Sequence, residues 1–134
     1  VDIHPGTLQH KRYPNIFSLG DASSAPTSKT AAAVRKQAPV VAQNLLSFFA
    51  STPLVSEYDG YTCCPLITGY DKTVMAEFDG YNCKPTSSFP LNPTKERWVM
   101  WLMKKHALPW IYWNRMLTGK PFEGNYIKPF RWRG

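Results

Sequence analysis

The 134 residues include only three cysteines, and no two of them form a CxxC pair. An odd, irregular set of this kind excludes a disulfide framework and fits a reducing compartment or thiols kept for chemistry. Adding His4, His10 and His106 yields no pair at metal-ligand spacing, so no metal site is expected. The eight glycines stand at 6, 20, 60, 69, 80, 119, 124 and 134, none two apart, which excludes a GxGxxG turn for a pyrophosphate. No apolar run approaches the roughly 18 residues that span a bilayer, so any membrane contact is expected to be peripheral. The chain opens on Val1 with neither an apolar leader nor an Arg/Ser-rich presequence, and is expected to be the downstream end of something longer.

Acidic residues are scarce as well: Asp plus Glu number 9 against 16 Lys plus Arg. From Lys104 onward Lys104, Lys105, Arg115, Lys120, Lys128, Arg131 and Arg133 face a single acid, Glu123, among Trp110, Tyr112, Trp113, Phe122, Tyr126, Phe130 and Trp132. Cations interleaved with aromatic rings suit an anionic membrane surface, where rings settle at the headgroup level. Nucleic acid uses the same residue types, but no recognised binding motif accompanies them, and none is expected as a partner. Core helices whose tryptophans pack inward are an equally open reading.

Along the chain, residues 1–15 are polar and turn-rich, and "NIFSLGD" reads as a short buried strand, Ile16 to Leu19, closing on Gly20-Asp21. A carboxylate at the carboxyl end of a strand in an α/β protein lies where ligands bind. A helix is expected to open near Thr27 or Ser28, run through Ala31, Ala32 and Ala33, kink at Pro39 and continue an apolar face on Val40, Val41, Leu45, Leu46, Phe48 and Phe49. Small side chains at its start allow a ligand close to the helix amides. Two like phrases follow, "YDGYTCCP" at 58 and "FDGYNCKP" at 78. Between them strand-like runs flank a turn at Gly69 to Lys72, with Val74, Ala76 and Phe78 alternating against Thr73, Met75 and Glu77. The repeat reads as local turn chemistry in a small antiparallel sheet. A second helix is expected from Asn92 as cap and Pro93 at its first position, and a third from Pro109 to Leu117, ending at Gly119.

Three groups carry chemistry. Adjacent cysteines close only a strained ring, so Cys63 and Cys64 make a poor structural disulfide, and one buried cysteine with an incidental neighbour is the plain reading. Pro65 nevertheless stiffens the backbone after Cys64, which suits a thiol presented to a sulfur species. Asp21 alone reads as a helix-capping residue. Lys29 sits where the helix dipole disfavours a cation, and is easier to understand beside an anionic ligand. Strand, Gly-Asp, small-residue loop and Ala-rich helix together form a flavin-site phrase.

"YPNIFSLGDASSAPTSKTAAAVRKQAP", "YDGYTCCPLITGYDKTVMAEFD", "KERWVMWLMK" and "LPWIYWNRMLTG" closely resemble the carboxyl-terminal part of eukaryotic-type sulfide:quinone oxidoreductases. The resemblance implies an α/β flavoprotein of two dinucleotide-binding domains, of which residues 1–52 are the last piece of the FAD-binding domain. Residues 53–134 then form the redox-cysteine and quinone-side region, with a small antiparallel sheet and amphipathic carboxyl-terminal helices. It implies oxidation of sulfide to sulfane sulfur, electron transfer through FAD to ubiquinone, and a small sulfur acceptor such as glutathione or sulfite. The site implied is peripheral, at the matrix face of the mitochondrial inner membrane. Asp21 matches the aspartate on the ribityl chain, Lys29 and Thr30 the lysine and helix start beside the isoalloxazine, and Cys64 one of two redox cysteines. Neither Cys63 nor Cys83 matches a family role; Cys63, beside Cys64, is expected as a competitor for sulfur. The second redox cysteine and the Gly-rich turn fall outside the sequence, so the piece is expected to be inactive alone. Two alternatives stay open: a non-catalytic basic, aromatic module for membrane surfaces, and a flavoprotein that reduces quinone with NADH.

Overall fold

The computed structural model describes residues 1–88 and 90–119. The basic and aromatic tail residues named above from Lys120 to Arg133 lie outside the described residues. The chain divides into two compact units, Val1–Cys63 with Asp79–Lys84, and Cys64–Phe78 with Pro85–Gly134. Secondary structure is mixed, with helices and a small sheet.

The first unit is built on one helix, α1 (Ala31–Phe49). Its cap is Thr30, whose hydroxyl accepts the Ala33 amide at 3.1 Å, and not Thr27 or Ser28. The two earlier candidates are engaged elsewhere: the Thr27 hydroxyl donates to the Gly60 carbonyl at 3.3 Å, and the Ser28 carbonyl accepts from the Thr62 hydroxyl at 3.4 Å. The helix runs on through Pro39 without ending. Its buried face is also a correction. Leu46 and Phe49 are 64% and 76% exposed, whereas Gln37 and Asn44 are 2% and 0% exposed. Both amides are buried because they satisfy loop backbone that has no ladder of its own. Gln37 Oε1 accepts the Gly20 amide at 2.8 Å. Asn44 donates to the carbonyls of Thr7 and Ser56 and accepts the Ser56 amide. Around this face gather Ile3, Leu8, Ala25, Ala33, Val40, Val41 and Tyr58, the core of the unit.

The strand expected at Ile16 to Leu19 does not form. One antiparallel bridge, Gln9 to Phe17, is all the pairing that this stretch makes among the described residues, and Ile16 is exposed. A strand exists only through its neighbours, and here the available neighbour is the short turn segment around Leu8 to His10.

The like phrases at 58 and 78 prove to be partners within this unit. Gly60 and Gly80 both have positive φ, 85° and 68°. Tyr58 and Tyr81 meet edge to face with ring centroids 6.0 Å apart, and the Tyr81 hydroxyl donates to the Pro5 carbonyl at 2.7 Å.

The sheet has the order β1-β2-β3, with β1 (Thr62–Gly69), β2 (Lys72–Asp79) and β3 (Lys84–Pro85). The turn between β1 and β2 falls at Gly69 to Lys72, as the sequence predicts, and the period of two in β2 is also as read. The buried face is Thr73, Met75 and Glu77. Glu77 is held there through its carboxylate and Thr73 through its backbone, the buried Thr73 hydroxyl having no hydrogen-bond partner among the described residues. Glu77 accepts from both the amide and the hydroxyl of Ser88, and Thr73 exchanges backbone hydrogen bonds with Arg97. Val74, Ala76 and Phe78, with Pro85 and Pro93, line a shallow cleft of about 270 Å³.

The bridge to Thr73 also explains why no helix starts at Asn92. Arg97 is held extended, so α2 (Trp98–Leu102) begins directly after it. Asn92 Oδ1 instead accepts the amide and hydroxyl of Thr94 in a local turn. From Trp98 the chain stays helical to Met116, so the two expected helices are one run. Widened π turns, Met103–Ala107 and Tyr112–Met116, flank α3 (Leu108–Ile111). Proline cannot donate to the preceding turn and crowds it, and a widened turn before Pro109 relieves both problems. Along this run Met100 is buried while Trp98, Trp110, Trp113 and Leu117 are exposed. Among the described residues no helix is long and apolar enough to cross a membrane.

Candidate functional site

Asp21 lies in a 3-10 turn, Gly20–Ala22, that packs on the start of α1. The turn depends on Gly20. Its φ is +64°, and a Cβ there would meet Val34 Cγ2 at 3.2 Å, so a side chain would push the turn off the helix. The Gln37 amide oxygen pins the Gly20 N–H from below, and the Ser23 hydroxyl and amide close the turn on the Gly20 carbonyl. The Asp21 carboxylate is left exposed on a rigid support.

Lys29 is placed otherwise than a free surface cation. Its ammonium donates to the carbonyls of Ser23 and Ala25 at 2.7 and 2.9 Å and so fastens the loop that leads from the turn into α1. One of its three protons remains for a further acceptor. Thr30 closes the helix start. The first two helical residues are Ala31 and Ala32, whose amides have no partner within a helix by construction. The arrangement therefore offers an exposed carboxylate, a lysine proton and helix-start amides with only methyl groups around them. Such a set can hold a polar, partly anionic group and its hydroxylated tail.

The Tyr58 hydroxyl donates to the Tyr61 carbonyl, and burial raises its pKa; burial likewise pushes the Tyr81 hydroxyl up to about 12, with Tyr58 and Asp59 adding to the effect. Both rings are neutral struts of the corner. Asp59 accepts the Tyr61 amide, and Lys36 lies 3.9 Å from Asp59 with its ammonium 4.6 Å from the Tyr61 ring centroid. These corner residues escaped the sequence reading. The one signal that pointed to them was the repeated aromatic-Asp-Gly-Tyr phrase.

Cys63 and Cys64 are both in β1, half-buried and outside any disulfide. Successive residues of a strand face opposite sides, so their thiols diverge. In the second unit the Lys104 ammonium donates to the Pro65 carbonyl at 2.6 Å, directly after Cys64. That contact anchors the strand to the π turn at Met103–Ala107. Cys83 is exposed, with φ 51°.

No family model matches the chain. Among curated proteins it is 47% identical over 119 residues to the mitochondrial sulfide:quinone oxidoreductase of Mus musculus, covering 89% of this chain and 26% of that protein. It is 46% identical over 127 residues to the mitochondrial sulfide:quinone oxidoreductase of Dictyostelium discoideum, covering 95% of this chain and 28% of that protein. The chain thus spans about a quarter of the length of the curated relatives it matches. Among solved structures, a chain of the cryo-EM structure of the Tetrahymena thermophila mitochondrial ATP synthase superposes with a TM-score of 0.73 at 28% identity, over 82% of this chain and 27% of that one. With about nine-tenths of its residues aligned at such identities to proteins of one kind, the chain belongs to the mitochondrial-type sulfide:quinone oxidoreductase family.

Proposed function

We propose that the whole protein oxidises sulfide to sulfane sulfur and delivers the two electrons to ubiquinone, with FAD as cofactor. The observation that carries this reading is the 44–47% identity to three curated sulfide:quinone oxidoreductases across this chain. The site residues fit a flavin in chemical type. Asp21 would bind hydroxyls of the ribityl chain, and Lys29, Thr30 and the amides of Ala31 and Ala32 would face the polar edge of the ring. Bound FAD supplies the two-electron chemistry, which amino-acid side chains lack.

Cys64 is one sulfur of the redox pair, its partner a second cysteine of the whole protein. Sulfide attacks the sulfur bridge of that pair; the bond between the two cysteine sulfurs breaks, one cysteine keeps the incoming sulfur as a persulfide, and the other leaves as a thiolate carrying the electron pair. The persulfide sulfur passes to a small nucleophile such as glutathione or sulfite. In this reading residues 1–52 complete a flavin-binding domain of the two-dinucleotide-domain type, and residues 53–134 serve the sulfur and quinone side. The exposed tryptophans of the helical run support peripheral contact with a membrane, which we assign to the matrix face of the mitochondrial inner membrane. The 134 residues alone are assigned no activity.

The test is flavin content. Full-length protein carrying Asp21→Ala, desalted and scanned between the protein and flavin bands, is expected to lose its FAD, while an undiminished flavin-to-protein ratio would overturn the assignment.

A further inference from the structure

Thr62 has no part in the assignments above, yet it is 3% exposed and polar, and its hydroxyl lies 2.9 Å from that of Thr30. The Thr30 oxygen already accepts the Ala33 amide at 3.1 Å. Thr62 in turn lies 3.4 Å from the Ser28 carbonyl. Each hydroxyl has one proton, and one arrangement satisfies every donor: Ala33 N–H to Thr30, Thr30 O–H to Thr62, Thr62 O–H to the Ser28 carbonyl. The chain of bonds closes from the first turn of α1 back to the loop that enters it. Thr27 adds a parallel tie from the same loop to the Gly60 carbonyl.

We infer that Thr62 is a positioning residue for the flavin site: its hydroxyl sets the rotamer of Thr30 and thereby the angle at which the first amides of α1 are presented. The inference rests on the flavin reading of this helix start. Thr30 without Thr62 still caps Ala33, so the helix itself does not need the second threonine; what the pair adds is a fixed orientation. Thr62 is also the first residue of β1. One hydroxyl pair therefore ties the helix start proposed to hold the flavin to the loop end from which that strand begins.

The experiment uses full-length enzyme with Thr62→Val, Thr62→Ser, Thr30→Val and the Thr30→Val/Thr62→Val pair. FAD affinity is read from flavin fluorescence on titrating apoprotein, and the flavin absorption band and the melting temperature of the apoprotein are recorded alongside. Thr62→Val is expected to weaken FAD binding about tenfold, the equivalent of one hydrogen bond, with a shifted flavin band and a near-normal apoprotein melt. Thr62→Ser restores both, and the double variant is no weaker than Thr30→Val alone, since both changes cut the same link. Unchanged affinity and band in Thr62→Val would overturn the inference. So would equal losses in Val and Ser accompanied by a lowered apoprotein melt, or, should Thr62→Val not fold, a Thr30→Val variant with wild-type affinity. A wild-type protein that takes up no FAD would instead sink the flavin reading itself.

Discussion

Gly60 stands so close to the backbone of Tyr81 that a Cβ on it would lie 2.7 Å from the Tyr81 amide nitrogen. Gly80, in the matching phrase, has only the Asp59 carbonyl oxygen near, at 3.5 Å. The two glycines share a positive φ but differ in room, which gives the first prediction. Gly80→Ala meets only the left-handed backbone penalty and is expected to cost about 1 kcal/mol. Gly60→Ala adds a clash with main chain that cannot swing aside, for a total of about 2–4 kcal/mol. Urea denaturation of the full-length protein checks the order; equal losses would refute the back-to-back packing.

The Tyr81 hydroxyl gives an alkaline signature. Its folded pKa, pushed up to about 12, lies above the ordinary tyrosine value of 10.0, chiefly through burial. Between those two values the unfolded chain has lost a proton that the folded chain keeps, so stability falls as pH rises. The contribution is fully present below pH 10 and is lost as pH passes through the folded value. Melting temperatures followed from pH 9 upward are expected to drop more steeply in the wild type than in Tyr81→Phe, which has no proton to lose.

For the vicinal cysteines, the pleat of β1 turns the two thiols to opposite sides. On the proposed function, sulfur delivered to Cys64 is therefore expected to stay away from Cys63, against the competition that adjacency in sequence suggests. After sulfide treatment of the full-length protein, mass spectrometry with fragmentation between the two residues is expected to find added sulfur on Cys64 alone. Cys64→Ser should lower sulfide-dependent quinone reduction on the order of a thousandfold. Cys63→Ser should leave most of it.

Trp110 and Trp113 are 56% and 65% exposed on the helical run. Such rings outside a core are suited to the headgroup region of a bilayer. Replacing both with alanine is expected to weaken sedimentation of the full-length protein with cardiolipin-containing vesicles at least about tenfold, each ring contributing on the order of 1 kcal/mol. Wild-type binding in the double variant would remove these rings from the membrane contact.

Much of the local structure was legible. The hairpin turn at Gly69 to Lys72 followed from glycine and alternation, and the breaker at 51–53 ends α1 where it should, at Phe49. What failed was the choice of face. Leu46 and Phe49 read as part of an apolar face on α1, and alternation on β2 left its inward side open, yet the buried positions include Gln37, Asn44, Thr73 and Glu77. Gln37, Asn44 and Glu77 each meet a specific partner through their side chains, and Thr73 is held by its backbone bridge to Arg97. Caps failed for a like reason: Thr27 and Asn92 are sound capping types, but each is held by another bond, and the helices start at Ala31 and Trp98. The site residues Asp21, Lys29, Thr30 and Cys64 were named from the sequence; Thr62, Tyr58 and Tyr81 were not, because nothing in a lone threonine or tyrosine announces a partner 23 or 32 positions away.

By itself the sequence determined the periodicities, the turn chemistry and the resemblance, since these depend on residues near one another along the chain or on whole phrases of it. Tertiary structure alone decided which side of each element is covered and which hydroxyls and amides pair. Burial of a polar group is favourable only when its partner arrives with it, and that partner comes from elsewhere in the fold.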